Sequence, residues 1–252
     1  MDGNPRGETL LFSNSLGTTH GLWALQLEAL SSGFQIIRYD TRGHGASDVP
    51  PGPYTIDTLG LDAIAILDAA GVERAHVCGL SLGGLTAMWL GVHAADRIRS
   101  LILSSTAARI GSVSMWEERI NQVNAAGVEP LADATMGRWF TAGYRAAHPE
   151  VVSIYHRMVC ATPAGGYASC CAAIRDADLR EAINAIAAPT LVIAGREDPV
   201  TPPSDAEEMH ARIPGSRVAL LDAAHIANVE QALAFNDLVS VFISQKQSRA
   251  HG

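Results

Sequence analysis

Ser81 lies in the pentapeptide Gly79-Leu80-Ser81-Leu82-Gly83, after the apolar run Ala75-His76-Val77-Cys78 and before a helix-like stretch over residues 84–90. A strand, a tight turn and a helix in that order lift a serine hydroxyl clear of the backbone at the end of a sheet, where it can serve as a nucleophile. Glycine on both flanks has a steric reason: the serine needs a strained conformation, and a flanking side chain collides with the neighbouring strand and helix. The chemistry this implies is acyl transfer by a serine hydrolase. Taken alone, the pentapeptide is equally compatible with a chance match in a glycine-rich loop.

Two more residues complete a constellation in the order nucleophile, acid, histidine. Pro189-Thr190-Leu191-Val192-Ile193-Ala194-Gly195 reads as a buried parallel strand, and the turn after it carries Arg196-Glu197-Asp198-Pro199. Asp198 is the expected acid, although Glu197 adjoins it and a loop acid before proline also caps turns. A second short strand, Arg217-Val218-Ala219-Leu220-Leu221, leads into Asp222-Ala223-Ala224-His225, ahead of a helix expected to start near Asn228. His225 is the expected base. The competing view, a polar loop histidine without a role, is weakened by its place just past a strand end, where sheet enzymes collect catalytic groups. Ser13-Asn14-Ser15-Leu16-Gly17-Thr18 comes straight after the first strand, the position from which one oxyanion amide comes; the other is the amide after the nucleophile, Leu82. Ser15 is the first choice for that donor and Leu16 the neighbour that competes with it, against the alternative of an ordinary glycine-containing turn.

The elements that must position these groups alternate along the chain. Leu10-Leu11-Phe12 opens a strand, residues 22–30 have helical spacing, Phe34-Gln35-Ile36-Ile37-Arg38-Tyr39 is a strand, and residues 56–70 form an amphipathic helix closed by Gly71. A strand over residues 98–103 follows the Ser81 segment. Such alternation demands crossover connections and a mainly parallel sheet with helices on both faces. Between Arg109 and Ile186 the pattern turns helical, with helices expected over 115–126, 131–144, 150–160 and 166–175. The expected organisation is a core of residues 1–108 and 187–252 and an inserted helical cap of residues 109–186 that walls the site and selects substrate. A polar tail is expected from Gln245 to Gly252.

Composition excludes more than it assigns. The 252 residues are 48% hydrophobic, ample for one sheet-based core. A net charge of -8 offers no basic stripe for nucleic acid. No apolar run is long enough to span a bilayer and no leader-like start is visible, so a soluble cytoplasmic protein is expected. Cys78, Cys160, Cys170 and Cys171 suit that compartment; the adjacent pair is badly placed to bond to itself, and no spacing resembles a zinc site.

Several segments together resemble the 3-oxoadipate enol-lactonases. They are Ser13-Asn14-Ser15-Leu16-Gly17-Thr18, Tyr39-Asp40-Thr41-Arg42-Gly43-His44-Gly45, Cys78-Gly79-Leu80-Ser81, Thr106-Ala107-Ala108-Arg109-Ile110-Gly111, Arg138-Trp139-Phe140-Thr141 and Gly166-Tyr167-Ala168-Ser169-Cys170-Cys171-Ala172-Ala173-Ile174. The serine segment and the Asp-x-Arg-Gly-x-Gly loop are common to many α/β-hydrolases; the Ser-Asn-Ser-Leu-Gly loop and the segments between 109 and 186 are the narrower signals. The resemblance implies an α/β-hydrolase fold and hydrolysis of a small lactone carrying a carboxylate, with no metal or organic cofactor. A cation is then expected in the cap, Arg138 beside Trp139 first and Arg109 second, because guanidinium geometry suits carboxylates. Against this, most cap arginines are solvated or paired, and a tryptophan at helical spacing is more often core packing. Asp40, Arg42 and His44 are taken to shape a turn. Members of the family begin with a β-hairpin that residues 1–9 do not supply, so a shortened sheet edge open to a second chain is expected, and a homo-oligomer is compatible with it. No fused decarboxylase domain is expected after the last helix. An esterase, a carbon–carbon hydrolase and a ligand receptor of the same fold are the alternatives.

Overall fold

The computed structural model describes residues 1–250. Its seven strands are β1 (Asp2–Gly3), β2 (Glu8–Ser13), β3 (Phe34–Arg38), β4 (Ala75–Leu80), β5 (Ile98–Ser104), β6 (Thr190–Gly195) and β7 (Arg217–Leu221), in the sheet order β1-β3-β2-β4-β5-β6-β7. All pairings are parallel except that of β1 with β3. Every residue of β4 and β6 is buried, as continuous apolar runs must be when helices cover both faces. The chain runs outward from β2 to β3 and returns to β4 on the other side of β2, so the sheet reverses direction between β2 and β4. Ligands of open α/β sheets bind at that reversal, beyond the carboxyl ends of the strands.

Helices α1 (Ala24–Leu30), α2 (Ile56–Ala69) and α3 (Leu82–His93) lie in the first half of the chain. Thr55 starts α2 by accepting the Thr58 amide at 3.1 Å, and Gly71 ends the segment at φ +67°. Between β5 and β6 come α4 (Val113–Ala126), α5 (Ala132–Trp139), α6 (Ala142–Ala147), α7 (Pro149–Cys160) and α8 (Ala164–Asp176). The single helix expected over 131–144 is two. Phe140 is extended, at φ −128° and ψ 141°, and its buried ring packs against Tyr144 and Tyr155. Thr141 then restarts the helix by accepting the Tyr144 amide.

Helix α9 (Pro203–Arg212) had no clear sequence signal, since only Ala206 and Met209 of its ten residues are buried. The expected C-terminal helix is a short α10 (Ala227–Glu230) followed by α11 (Ala232–Ala250). The polar tail expected from Gln245 is therefore helical as far as Ala250, and its last two residues lie outside the described residues. In place of an N-terminal hairpin, the two residues of β1 pair with Ile36 and Gln35 of β3, and Arg38 bonds Asp2 at 2.9 Å, so the expected open edge is partly covered. Among the described residues no helix is long and apolar enough to cross a membrane, and no group of three or more His, Cys, Asp or Glu side chains is placed to hold a metal ion. All four cysteines are unpaired thiols.

Candidate active site

Ser81 sits between β4 and α3 at φ +56° and ψ −113°, backbone that a residue with a Cβ adopts only when its surroundings force it. The forcing is visible. The Ser81 amide donates to Ser104 O at 3.0 Å, and the Thr106 hydroxyl donates to Ser81 O at 2.8 Å. A Cβ on Gly79 would run into Gly83 O, and one on Gly83 into Ser13 O, so both glycines are demanded by backbone contact. The Gly83 contact also brings the loop after β2 against the start of α3.

That loop is anchored from several sides. The register pairs Ser13 with Gly79, so the loop starts beside the end of β4, two residues before Ser81. Buried Asn14 accepts from Trp23 Nε1 at 2.9 Å and donates to Tyr39 O at 2.6 Å. Ser15 O accepts from the Thr18 hydroxyl at 2.7 Å, and the Gly17 amide donates to His44 Nε2 at 2.9 Å. Burial pushes His44 down to about 4, so near neutrality it is an uncharged acceptor at Nε2 with its proton on Nδ1, directed at Arg42 O. Leu82 is the first residue of α3, and its amide is among the four that a helix leaves without an internal partner. Asp40, Arg42 and His44 act within their loop and its neighbours. Asp40 takes the His20 and Ala46 amides, and Arg42 forms a two-pronged bond with Asp62 at 2.5 Å per arm.

Asp198 and His225 follow β6 and β7 and meet at 2.8 Å, Oδ2 to Nδ1. Asp198 Oδ2 also accepts the Thr201 hydroxyl at 2.8 Å, while Oδ1 accepts the amides of Val200 at 2.8 Å and Thr201 at 3.1 Å. Burial alone would raise this carboxyl; the His225 charge and hydrogen bond and the two amides outweigh it and hold the group below its ordinary value. Ser81, Asp198 and His225 are 6%, 3% and 1% exposed. The two loops are stitched together by Arg196 N–H to Leu221 O and Glu197 N–H to Ala223 O, at 2.8 and 3.0 Å. Glu197, the neighbour that competed for the role of acid, is exposed.

Ser15, Ser81 and His225 open onto one cavity of about 260 Å³, closed on its other side by residues of α4, α5 and α8. Arg138 and Trp139 lie on its wall, as does Arg119, which sequence reasoning did not single out. Arg138 is half-buried and donates to Thr135 Oγ1 at 3.1 Å; Arg119 donates to Tyr167 OH at 3.3 Å and lies over the Trp116 ring. Among the described residues neither guanidinium has a carboxylate within ion-pair distance. Burial and the like charge of Arg119 push Arg138 below its ordinary value, a strain that a bound anion relieves. Arg109 is placed elsewhere: it is exposed and bonds Asp178 at 3.2 Å. The signal for Arg119 was present three residues after Trp116 and four before Val123, the two buried positions of α4, on the same helical face.

The profile of the alpha/beta hydrolase fold family matches residues 8–127 and 159–232. The chain is 43% identical over 236 residues to 3-oxoadipate enol-lactonase 2 of Acinetobacter baylyi, an alignment covering 94% of this chain and 88% of that protein. The crystal structure of the enol-lactonase from Burkholderia xenovorans superposes with a TM-score of 0.95 at 44% identity, over 96% of this chain and 94% of the other. A thermophilic esterase from Thermogutta terrifontis superposes at 0.92 with 28% identity, over 97% and 91%.

Proposed function

The chain belongs to the α/β-hydrolase family, where it groups with the 3-oxoadipate enol-lactonases as a carboxylic ester hydrolase, and from that premise we propose that it opens 3-oxoadipate enol-lactone to 3-oxoadipate in the β-ketoadipate pathway of aromatic-compound degradation. The observation that carries the choice of substrate is the pair Arg119 and Arg138. Two guanidiniums without carboxylate partners among the described residues line the same small cavity as Ser81 and His225, which suits a compact lactone bearing one carboxylate. Residues 109–186 act as a cap on the core of residues 1–108 and 187–252, supplying the anion-binding wall while the strand ends supply the reacting groups.

Ser81 Oγ attacks the lactone carbonyl carbon and its proton passes to His225 Nε2. Asp198, bonded to Nδ1, holds the imidazole in the tautomer that can accept and stabilises the imidazolium. The amides of Ser15 and Leu82 receive the oxyanion; in related sites one such donor contributes about 3 to 4 kcal/mol. Collapse breaks the bond to the ring oxygen and leaves an acyl-enzyme. The released enol oxygen is a better leaving group than an ordinary alkoxide, and the proton returned by His225 lets the enol become a ketone. Because the leaving group stays tethered and can re-close the ring, ketone formation commits the reaction before His225 activates water to release the acid from Ser81. Arg119 and Arg138 hold the remote carboxylate throughout.

The test follows the ultraviolet loss of freshly generated enol-lactone with the wild type and Ser81→Ala at equal concentration. Rapid loss, abolished by the substitution, is the expected result. No loss with a folded wild type that still hydrolyses 4-nitrophenyl esters would return the protein to the general esterases.

A further inference from the structure

Glu230, which has no part in the steps above, occupies the junction between the helix end that carries Arg138 and the loop that carries His225. Its Oε2 accepts the Ala224 amide at 3.0 Å and the Thr141 amide at 3.3 Å, and its Oε1 accepts the Thr141 hydroxyl. On the other side of His225, the Ile226 amide donates to Trp139 O at 3.0 Å. Both residues that flank His225 are therefore bonded to the segment just after Arg138, Ile226 directly to Trp139 at the end of α5 and Ala224 through the Glu230 carboxylate to Thr141 at the start of α6. Glu230 itself is held by its own amide, which donates to Ile226 O at 3.1 Å. Arg138 directly precedes Trp139, so the guanidinium and the imidazole belong to one hydrogen-bonded unit.

We propose that Glu230 is a positioning residue that fixes the distance between the carboxylate anchor at Arg138 and the base at His225. The proposal rests on the reading of His225 as base and Arg138 as anchor given above. Asp198 holds the imidazole independently of Glu230. A neutral ester, which does not engage Arg138, therefore meets an aligned triad with or without the clamp. An anionic substrate is anchored at one end and attacked at the other, so a shift between the two ends misplaces its carbonyl. Displacements of about 1 Å can cost up to a hundredfold in rate.

The probes are 4-nitrophenyl butyrate and the mono-4-nitrophenyl ester of glutaric acid, which differ chiefly in a terminal carboxylate, together with the enol-lactone. Glu230→Met keeps the length but removes the acceptors of the Ala224 amide, the Thr141 amide and the Thr141 hydroxyl. It is expected to lower kcat on the anionic ester and the lactone by about tenfold or more, with KM within about threefold and kcat on the butyrate within about threefold. Thr141→Val, which removes one arm of the clamp, should show the same pattern more weakly, and it serves as the test if Glu230→Met does not fold. Thr141→Ser should restore wild-type values. Equal losses on neutral and anionic esters would reduce Glu230 to a stabilising contact and overturn the proposal, as would full activity on both. A wild type that ignores the lactone but hydrolyses the anionic ester refutes the assigned substrate and leaves the clamp to be judged on the ester pair.

Discussion

Replacing Asp198 by Asn separates what the carboxylate does for chemistry from what it does for folding. Four donors converge on its two oxygens, and two of them are the backbone amides of Val200 and Thr201, which cannot turn away. The asparagine must give its oxygen to those amides, so its NH₂ faces the Thr201 hydroxyl and His225 Nδ1. The hydroxyl rotates to accept. The imidazole can accept at Nδ1 only by carrying its proton on Nε2, the tautomer that cannot take a proton from Ser81. The expected fall in kcat is about ten-thousandfold, as in other Ser-His-Asp enzymes with this substitution. At about 1.36 kcal/mol per factor of ten, that is roughly 5 kcal/mol of transition-state stabilisation. The folding cost is far smaller, because the two amides and the imidazole keep partners and what is lost is the charge assistance and the acceptor of the Thr201 hydroxyl proton, about 1 to 3 kcal/mol. Kinetics on the lactone and urea denaturation of the same preparation read the two quantities. A folded Asp198→Asn with kcat within tenfold of wild type would refute the tautomer argument.

Arg119→Met and Arg138→Met should each raise KM for the lactone roughly ten- to a hundredfold, from the loss of about 1.5 to 3 kcal/mol of charge-assisted binding, while the melting temperature holds or rises because no carboxylate partner is stranded. Equal effects on 4-nitrophenyl butyrate would argue against a carboxylate anchor. Ser81→Gly should be inactive yet more stable than equally inactive Ser81→Ala, since glycine removes backbone strain of about 1 to 3 kcal/mol, less about 0.4 to 1 for the looser unfolded chain. Identical melting temperatures for the two would place the strain elsewhere. Asp205, in the first turn of α9, is raised to about 6 by burial and by the charges of Glu208 and Asp198. Its native form binds a proton more tightly than the unfolded chain, so between the ordinary aspartate value and about 6 its contribution to stability falls as pH rises. Asp205→Asn should therefore add on the order of 1 kcal/mol at pH 7 after allowance for solvent screening, and almost nothing at pH 4. Chemical denaturation at the two pH values decides it.

The features legible along the chain are those that local chemistry dictates. The runs of β4 and β6, apolar apart from His76 and Thr190, required a sheet buried on both faces, and Gly79 and Gly83 marked backbone contacts that leave no room for a Cβ. The break between α5 and α6 was not legible, because residues 131–144 have helical spacing throughout and the burial of the Phe140 ring, a contact with other helices, is what extends the backbone there. Helix α9 was hidden for the opposite reason, with too few buried positions to set a period.

Charge placement was the least legible of all. Arg109, Arg119 and Arg138 look alike in one dimension, each with an apolar residue directly after it. Packing turns Arg109 out to Asp178 and brings Arg119 and Arg138 to one cavity wall, where their charges meet across the folded structure and not along the chain. The tie from Glu230 reaches back 89 residues to Thr141 and six to Ala224. Residue types and their near neighbours are enough to specify strands, turns and the strained turn that carries Ser81, because those follow from sterics over a few bonds. Which charges share a cavity, and which acid braces the histidine loop, depend on how whole helices are seated on the sheet.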